Sequence, residues 1–139
     1  MLEVIPELAG HYQSVAPAGT FTGEVWRDLV REHGNGPAIG SLFFAPSART
    51  YWHVHEGGQL LIAMAGGGWV GDADGVVRLA PGQMVWTPAN VSHWHGASAD
   101  QYLVYTTISW GKAIWASSVS EEDYRLLTDA DSQRHGPRP

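Results

Sequence analysis

Between Ala38 and Ser109 the chain is a succession of short apolar or alternating runs, broken at short intervals by Gly, Pro, Asn or Asp. Runs of this length suit strands, and breaks so closely spaced suit the turns of an all-β barrel or sandwich. Strands are predicted near 38–45, 50–55, 59–65, 68–71, 76–79, 84–87, 93–97 and 101–109. Asp72-Ala73-Asp74-Gly75 stands between two of them as a hairpin turn. Residues 1–37 read as an N-terminal strand-and-loop segment of the same domain. They hold one short strand between Phe21 and Leu29 and a turn at Gly34-Asn35-Gly36-Pro37. The barrel takes 38–128. One short helix is predicted after Ser120, where Glu121, Glu122 and Asp123 place acids in a first turn. The polar, Pro-ended residues 129–139 are expected to form a flexible tail.

A chain of 139 residues is one domain with room for a core of its own. A net charge of −6, with eight Lys and Arg and no basic run, argues against nucleic acid as a partner. The absence of cysteine removes disulfides and thiol catalysis, and leaves His, carboxylate and amide groups as the only metal donors. No stretch reaches the ~18 apolar residues of a membrane span, and the start MLEVIPELAG lacks a basic, apolar leader, so a cytoplasmic protein is expected. Gly66-Gly67-Gly68 has no helix after it and reads as a turn, not a phosphate loop.

Four of the seven histidines fall in two triplets, His53-Val54-His55 and His93-Trp94-His95. Residues two apart on a strand share a face, so each triplet sets two imidazoles side by side. In a small closed barrel such faces converge on the interior. Imidazole is the common protein ligand of first-row divalent ions, and paired triplets favour a metal site over hydrogen-bonded core histidines. Glu56 is turned away by strand alternation. After Gly57-Gly58 reverses the chain, Gln59 can point back at His53 and His55 and offer a neutral carbonyl oxygen. Three imidazoles and an amide leave the ion's charge uncompensated, which suits an anionic or oxygen-bearing substrate. His95, on the face of His93, can act as general base, as a hydrogen bonder behind the ligands, or as a fifth ligand. Tyr51 shares parity with His53, and Tyr105 can face the cavity from a later strand; either hydroxyl could orient substrate or simply pack. Trp52 and Trp94 should point away from the metal, toward the outer face or a dimer interface. Arg49 could hold a substrate carboxylate or a surface ion pair. His11, His33 and His135 carry no pattern.

The spacing His53-x-His55-x3-Gln59-x6-Gly66 resembles the first cupin motif, with Gln in the usual place of Glu. Gly82-x5-Pro88-x-Asn90-x2-His93 resembles the second, with Asn90 where Gly is common and Ala97 in place of the usual Asn. This resemblance implies a jelly-roll barrel, or double-stranded β-helix. It also implies one divalent ion on His53, His55, Gln59 and His93: Mn first, with Fe, Ni, Zn or Cu as alternatives. The segments ARTYWHVHEGGQLLIAMAGGGW, APGQMVWTPANVSHWHGA and SEEDYRLL are similar to small bacterial cupins with a His-Trp-His-Gly motif, a group that includes manganese-dependent hydroxynitrile lyases. In those lyases the position of His95 serves as an acid–base or hydrogen-bonding group, and that of Thr50 supports it. The lyases carry His and Gln where this chain has Tyr105 and Ser109. The resemblance implies a metal-dependent lyase for a small oxygenated molecule, with His95 and Thr50 as acting residues; Tyr105 joins them from its own place on a later strand, where the lyases differ. An oxygen-dependent dioxygenase cupin and a non-catalytic small-ligand binder are the alternatives. A homodimer is expected, since family members commonly dimerise and sheet edges need cover.

Overall fold

The computed structural model describes residues 2–5, 19–32 and 35–134, with the side chains of 130–134 excepted. His11, His33 and His135 lie outside the described residues. The elements are β1 (Phe21–Thr22), β2 (Val25–Arg31), β3 (Ala38–Phe44), β4 (Arg49–Thr50), β5 (His53–His55) and β6 (Gln59–Gly66). There follow β7 (Gly68–Asp72), β8 (Gly75–Leu79), β9 (Met84–Thr87), β10 (Trp94–Ala97), β11 (Leu103–Ser109), β12 (Ala113–Trp115) and α1 (Glu121–Arg134).

Two five-stranded sheets, in the orders β1-β4-β10-β7-β8 and β2-β3-β11-β6-β9, face each other, and the pair β12-β5 completes the wall. The paired strands run antiparallel. Alternation along the strands sends one set of side chains inward. Val25, Leu42, Phe44, Leu61, Leu103 and Tyr105 come from one sheet; Val70, Leu79 and Ala97 come from the other, and they pack into one buried core. Many short antiparallel strands wrapped into two facing sheets, with one helix, make this an all-β jelly-roll barrel.

The predicted strand 50–55 is two strands. β4 joins β1 and β10, and after Tyr51-Trp52 the chain continues as β5 against β12. The break resets the face parity, so Thr50 rather than Tyr51 shares the interior with His53; Tyr51 contributes its backbone carbonyl instead. The predicted strand within 21–29 likewise divides into β1 and β2, separated by Gly23 at φ 84°. The hairpin at 72–75 forms as expected: Asp72 pairs with Gly75 and its carboxylate accepts from Asp74 N at 2.8 Å.

The helix begins where the sequence places it, with Ser120 Oγ accepting from Asp123 N at 3.1 Å. It then runs to Arg134, through residues expected to belong to a tail. Tyr124 and Val119 anchor it. With Trp69 and Trp94 they form a second buried cluster against which Trp52 and Leu127 pack. Trp52 and Trp94 thus do point away from the histidines, but the C-terminal segment of the same chain covers them. Arg49 serves this junction. Its guanidinium donates to Val119 O at 3.0 and 2.8 Å and to Ser47 O at 3.0 Å, pairs with Glu121 at 3.3 Å, and lies 4.7 Å from the centre of the Tyr124 ring. No helix of the described residues is long and apolar enough to cross a membrane.

β7 and β10 approach each other closely because glycine stands at the contact. A Cβ on Gly68 would lie 2.1 Å from Gly96 O and 2.8 Å from Leu103 Cδ2. The Gly68→Ala variant is therefore expected to lose stability by about 2–3 kcal/mol, since backbone must move to admit the methyl. A urea midpoint equal to that of the parent chain would contradict the close approach.

Candidate metal centre

β5 places His53 and His55 on one inward face, two residues apart, and both are buried. His93 stands one residue before β10, tied to β5 by reciprocal backbone hydrogen bonds, His53 N to His93 O at 2.9 Å and His93 N to His53 O at 3.0 Å. One nitrogen from each of His53, His55 and His93 lies within 4.8 Å of the others, which is close enough to hold a metal ion. Asn90 helps set this up. It takes φ 61°, in the left-handed region that Asn tolerates, and donates its N–H to His55 O at 2.9 Å. This accounts for Asn at a position where a glycine would serve.

Backbone carbonyls decide which nitrogens face inward. His53 Nδ1 is 2.8 Å from Tyr51 O and His93 Nδ1 is 3.0 Å from Val91 O. A carbonyl only accepts, so both Nδ1 atoms carry the proton and both Nε2 atoms present lone pairs. Gln59, at the start of β6, donates its amide N–H to Ser109 Oγ at 3.0 Å, which leaves its Oε1 3.1 Å from His93 Nε2. Two acceptors then face each other, an arrangement that a nearby cation relieves. Both ring nitrogens of His55 are buried without a hydrogen-bond partner among the described residues. Orphaned nitrogens and facing lone pairs are what a cation site requires, so this donor set fits a divalent ion.

Electrostatics point the same way. Burial, then the nearness of His93, lowers the His53 pKa to about 3; the same causes lower His55 to about 4. Burial also lowers His93, and it holds His95 well below the usual histidine range, with His53 next in effect. The imidazoles are therefore neutral near pH 7, the form that binds metal.

His95 projects from β10 into the same space. Thr50 Oγ1 accepts its backbone N–H at 3.1 Å, and Tyr105 Oη lies 2.5 Å from its Nδ1. Thr50, His53, His55, Gln59 and His95 line a cavity of about 490 Å³, and Ser109 lines it too. Tyr105 stands behind His95, wholly buried. The site residues predicted from sequence are thus brought together, except Tyr51 and Arg49. Trp115 was missed. It lies opposite His53 on β12, its ring centre 4.4 Å from the imidazole, and it lines the cavity. The run Ala113-Ile114-Trp115, bounded by Gly111 and Ser117, carried a strand signal. Arg27, Glu32 and Lys112 also line the cavity, two cations and one carboxylate.

Comparison with known proteins gives a family to this geometry. Residues 41–109 match the cupin domain. The chain is 39% identical over 117 residues to the (R)-mandelonitrile lyase of Granulicella tundricola, covering 78% of this chain and 88% of that protein. Among solved structures, a cupin-like protein of Thermotoga maritima superposes with a TM-score of 0.80 at 36% identity, covering 87% of this chain and 97% of that one. The polyketide cyclase of Streptomyces resistomycificus superposes with a TM-score of 0.70 at 13% identity, over 92% and 94% of the two chains, a likeness of fold. With its paired histidine triplets gathered inside a jelly-roll barrel, this chain belongs to the cupin family.

Proposed function

We propose that this cupin is a metal-dependent lyase that makes or breaks a carbon–carbon bond beside an oxygen-bearing carbon, with a cyanohydrin such as mandelonitrile as the substrate to try first. The observation that carries the reading is the cluster of neutral, unpartnered imidazole nitrogens opening on a cavity sized for a small molecule. The likeness to a mandelonitrile lyase along most of that protein's length supports the choice of reaction. His53, His55, His93 and Gln59 would hold the ion, manganese being the first choice. When bound, it supplies Lewis-acid polarisation of a substrate oxygen.

The chain's own residues do the rest. Gln59 contributes no charge, so the ligands would leave the ion's charge uncompensated, and along the cavity wall Arg27 and Lys112 outnumber Glu32. His95 faces substrate as the acid–base or hydrogen-bonding group. Thr50 fixes the His95 backbone from β4, and Tyr105 braces the ring from β11. Trp115 narrows the approach beside His53 and limits water there.

The test combines metal analysis of untagged protein purified without chelators with an assay for benzaldehyde release from mandelonitrile. About one ion per chain and turnover that disappears on chelation are expected. One ion per chain without turnover on mandelonitrile or related cyanohydrins would leave a binding module. Iron or copper with oxygen uptake would replace the lyase by an oxygenase.

The same proposal includes a homodimer. Trp26, Phe43, Met64, Met84 and Trp86 project, exposed, from strands of one sheet, an apolar surface unusual for a face left to water. A second copy is the occupant we assign, and a monomer mass in sedimentation would discard it.

A further inference from the structure

The clustered histidines do not all hold their protons alike. His53 and His93 give their Nδ1 hydrogens to backbone carbonyls and turn bare Nε2 atoms inward. His95 has a different neighbour. Its Nδ1 meets a hydroxyl, Tyr105 Oη, which can donate as well as accept. Tyr105 is completely buried, and His95 Nδ1 is its hydroxyl's only hydrogen-bond partner among the described residues. If the imidazole donated, the phenolic hydrogen would be stranded in the core, at the cost of an unmade buried hydrogen bond. The phenol therefore donates, Nδ1 is the acceptor, and the ring hydrogen sits on Nε2. That Nε2 is buried and has no hydrogen-bond partner among the described residues.

We infer that Tyr105 is a positioning residue that fixes His95 in the Nε2–H form, making it a hydrogen-bond donor to an oxygen of the bound molecule rather than a base or a fifth ligand. The inference takes the cavity as a substrate site from the proposed function, and the proton placement uses that side of His95 too, since Nε2–H finds its acceptor there while a phenolic hydrogen in the core would find none. It narrows the ligand class to molecules with an acceptor oxygen at the reacting carbon, such as a carbonyl or a developing alkoxide. In that form His95 stabilises negative charge on oxygen by donating a hydrogen bond.

The test is a long-range proton–nitrogen NMR spectrum of protein carrying nitrogen-15 in its histidines. Zinc-loaded protein keeps the spectrum diamagnetic, and the His95→Gln variant assigns the His95 signals. The expected pattern is an unprotonated Nδ1 and a protonated Nε2 for His95, opposite to His53 and His93. The Tyr105→Phe variant should lose that single pattern and show a mixture of the two forms, with zinc content unchanged. If the parent chain turns over mandelonitrile, the same variant should lower kcat about ten-fold or more and move KM little. A His95 with Nδ1–H, with both nitrogens protonated, or with Nε2 on zinc would overturn the inference, as would a Tyr105→Phe spectrum identical to the parent's. Should the variant fail to fold, the parent spectrum decides alone. A parent chain that shows the expected pattern but cleaves no cyanohydrin refutes the proposed function and leaves the proton placement standing.

Discussion

Replacing His93 with alanine is expected to remove stoichiometric metal binding. His93 is the one donor of the triad that lies outside the first motif, and its Nε2 also faces Gln59 Oε1. Without it, the remaining donors come from one short stretch around a turn, His53, His55 and Gln59, and the ion would have nothing on the neighbouring wall. Loss of a group that merely hydrogen-bonds to a ligand commonly costs 10–100-fold in affinity, so loss of the ligand should exceed about 100-fold. Metal titration of the variant by calorimetry, with circular dichroism to confirm the fold, measures this. The backbone bonds between His53 and His93 need no side chain, so the barrel should survive. Affinity within a few-fold of the parent chain's would refute the assignment of His93.

The second large effect is on stability in acid. In the metal-free protein His53 and His55 are held at about 3 and about 4, against 6.5 for the free side chain. Between those limits the unfolded chain binds protons that the folded chain refuses. Stability is therefore complete above about pH 6.5 and is lost as pH falls toward 4 and below. Each such histidine approaches a slope of about 1.4 kcal/mol per pH unit only once the unfolded chain is fully protonated, so between pH 6.5 and 4.5 the two together remove about 4 kcal/mol. That is a large share of the stability of many domains, roughly 5–15 kcal/mol. Thermal melts of metal-free protein should fall steeply from pH 6.5 to 4.5, and bound metal should move the fall to lower pH. A flat melting temperature over that range would show that the histidines are not held neutral.

The parts of the site that were legible in the sequence are those governed by period two. His53 and His55 share a face because a strand alternates, His93 and His95 follow the same spacing across the start of β10 with ring centres 5.7 Å apart, and Gln59 returns because Gly57-Gly58 reverses the chain. What alternation could not foresee is where a strand stops. The break after Thr50 exchanges Thr50 for Tyr51 in the interior, and only the pairing of β4 with β10 reveals it. Arg49 read as a surface or ligand-binding cation because its true partners, the Val119 carbonyl and the Tyr124 ring, lie some seventy positions away. The helix beyond Leu127 has a polar sequence that gives no reason to extend. Within that stretch Thr128 is buried and donates its hydroxyl to Tyr124 O at 2.7 Å, a contact that sequence alone does not announce.

The seat of Trp115 has a use as well as a role. Its indole lies flat enough against His53, 33° from parallel, for the two rings to share an electronic environment, while Trp94, Trp69 and Trp52 sit on the far side of the wall beneath the helix. An ion arriving on His53 would alter the emission of the near indole and leave those three as a steady background. The pocket therefore comes with its own lamp, and occupancy can be followed in unlabelled protein, in real time, by light alone.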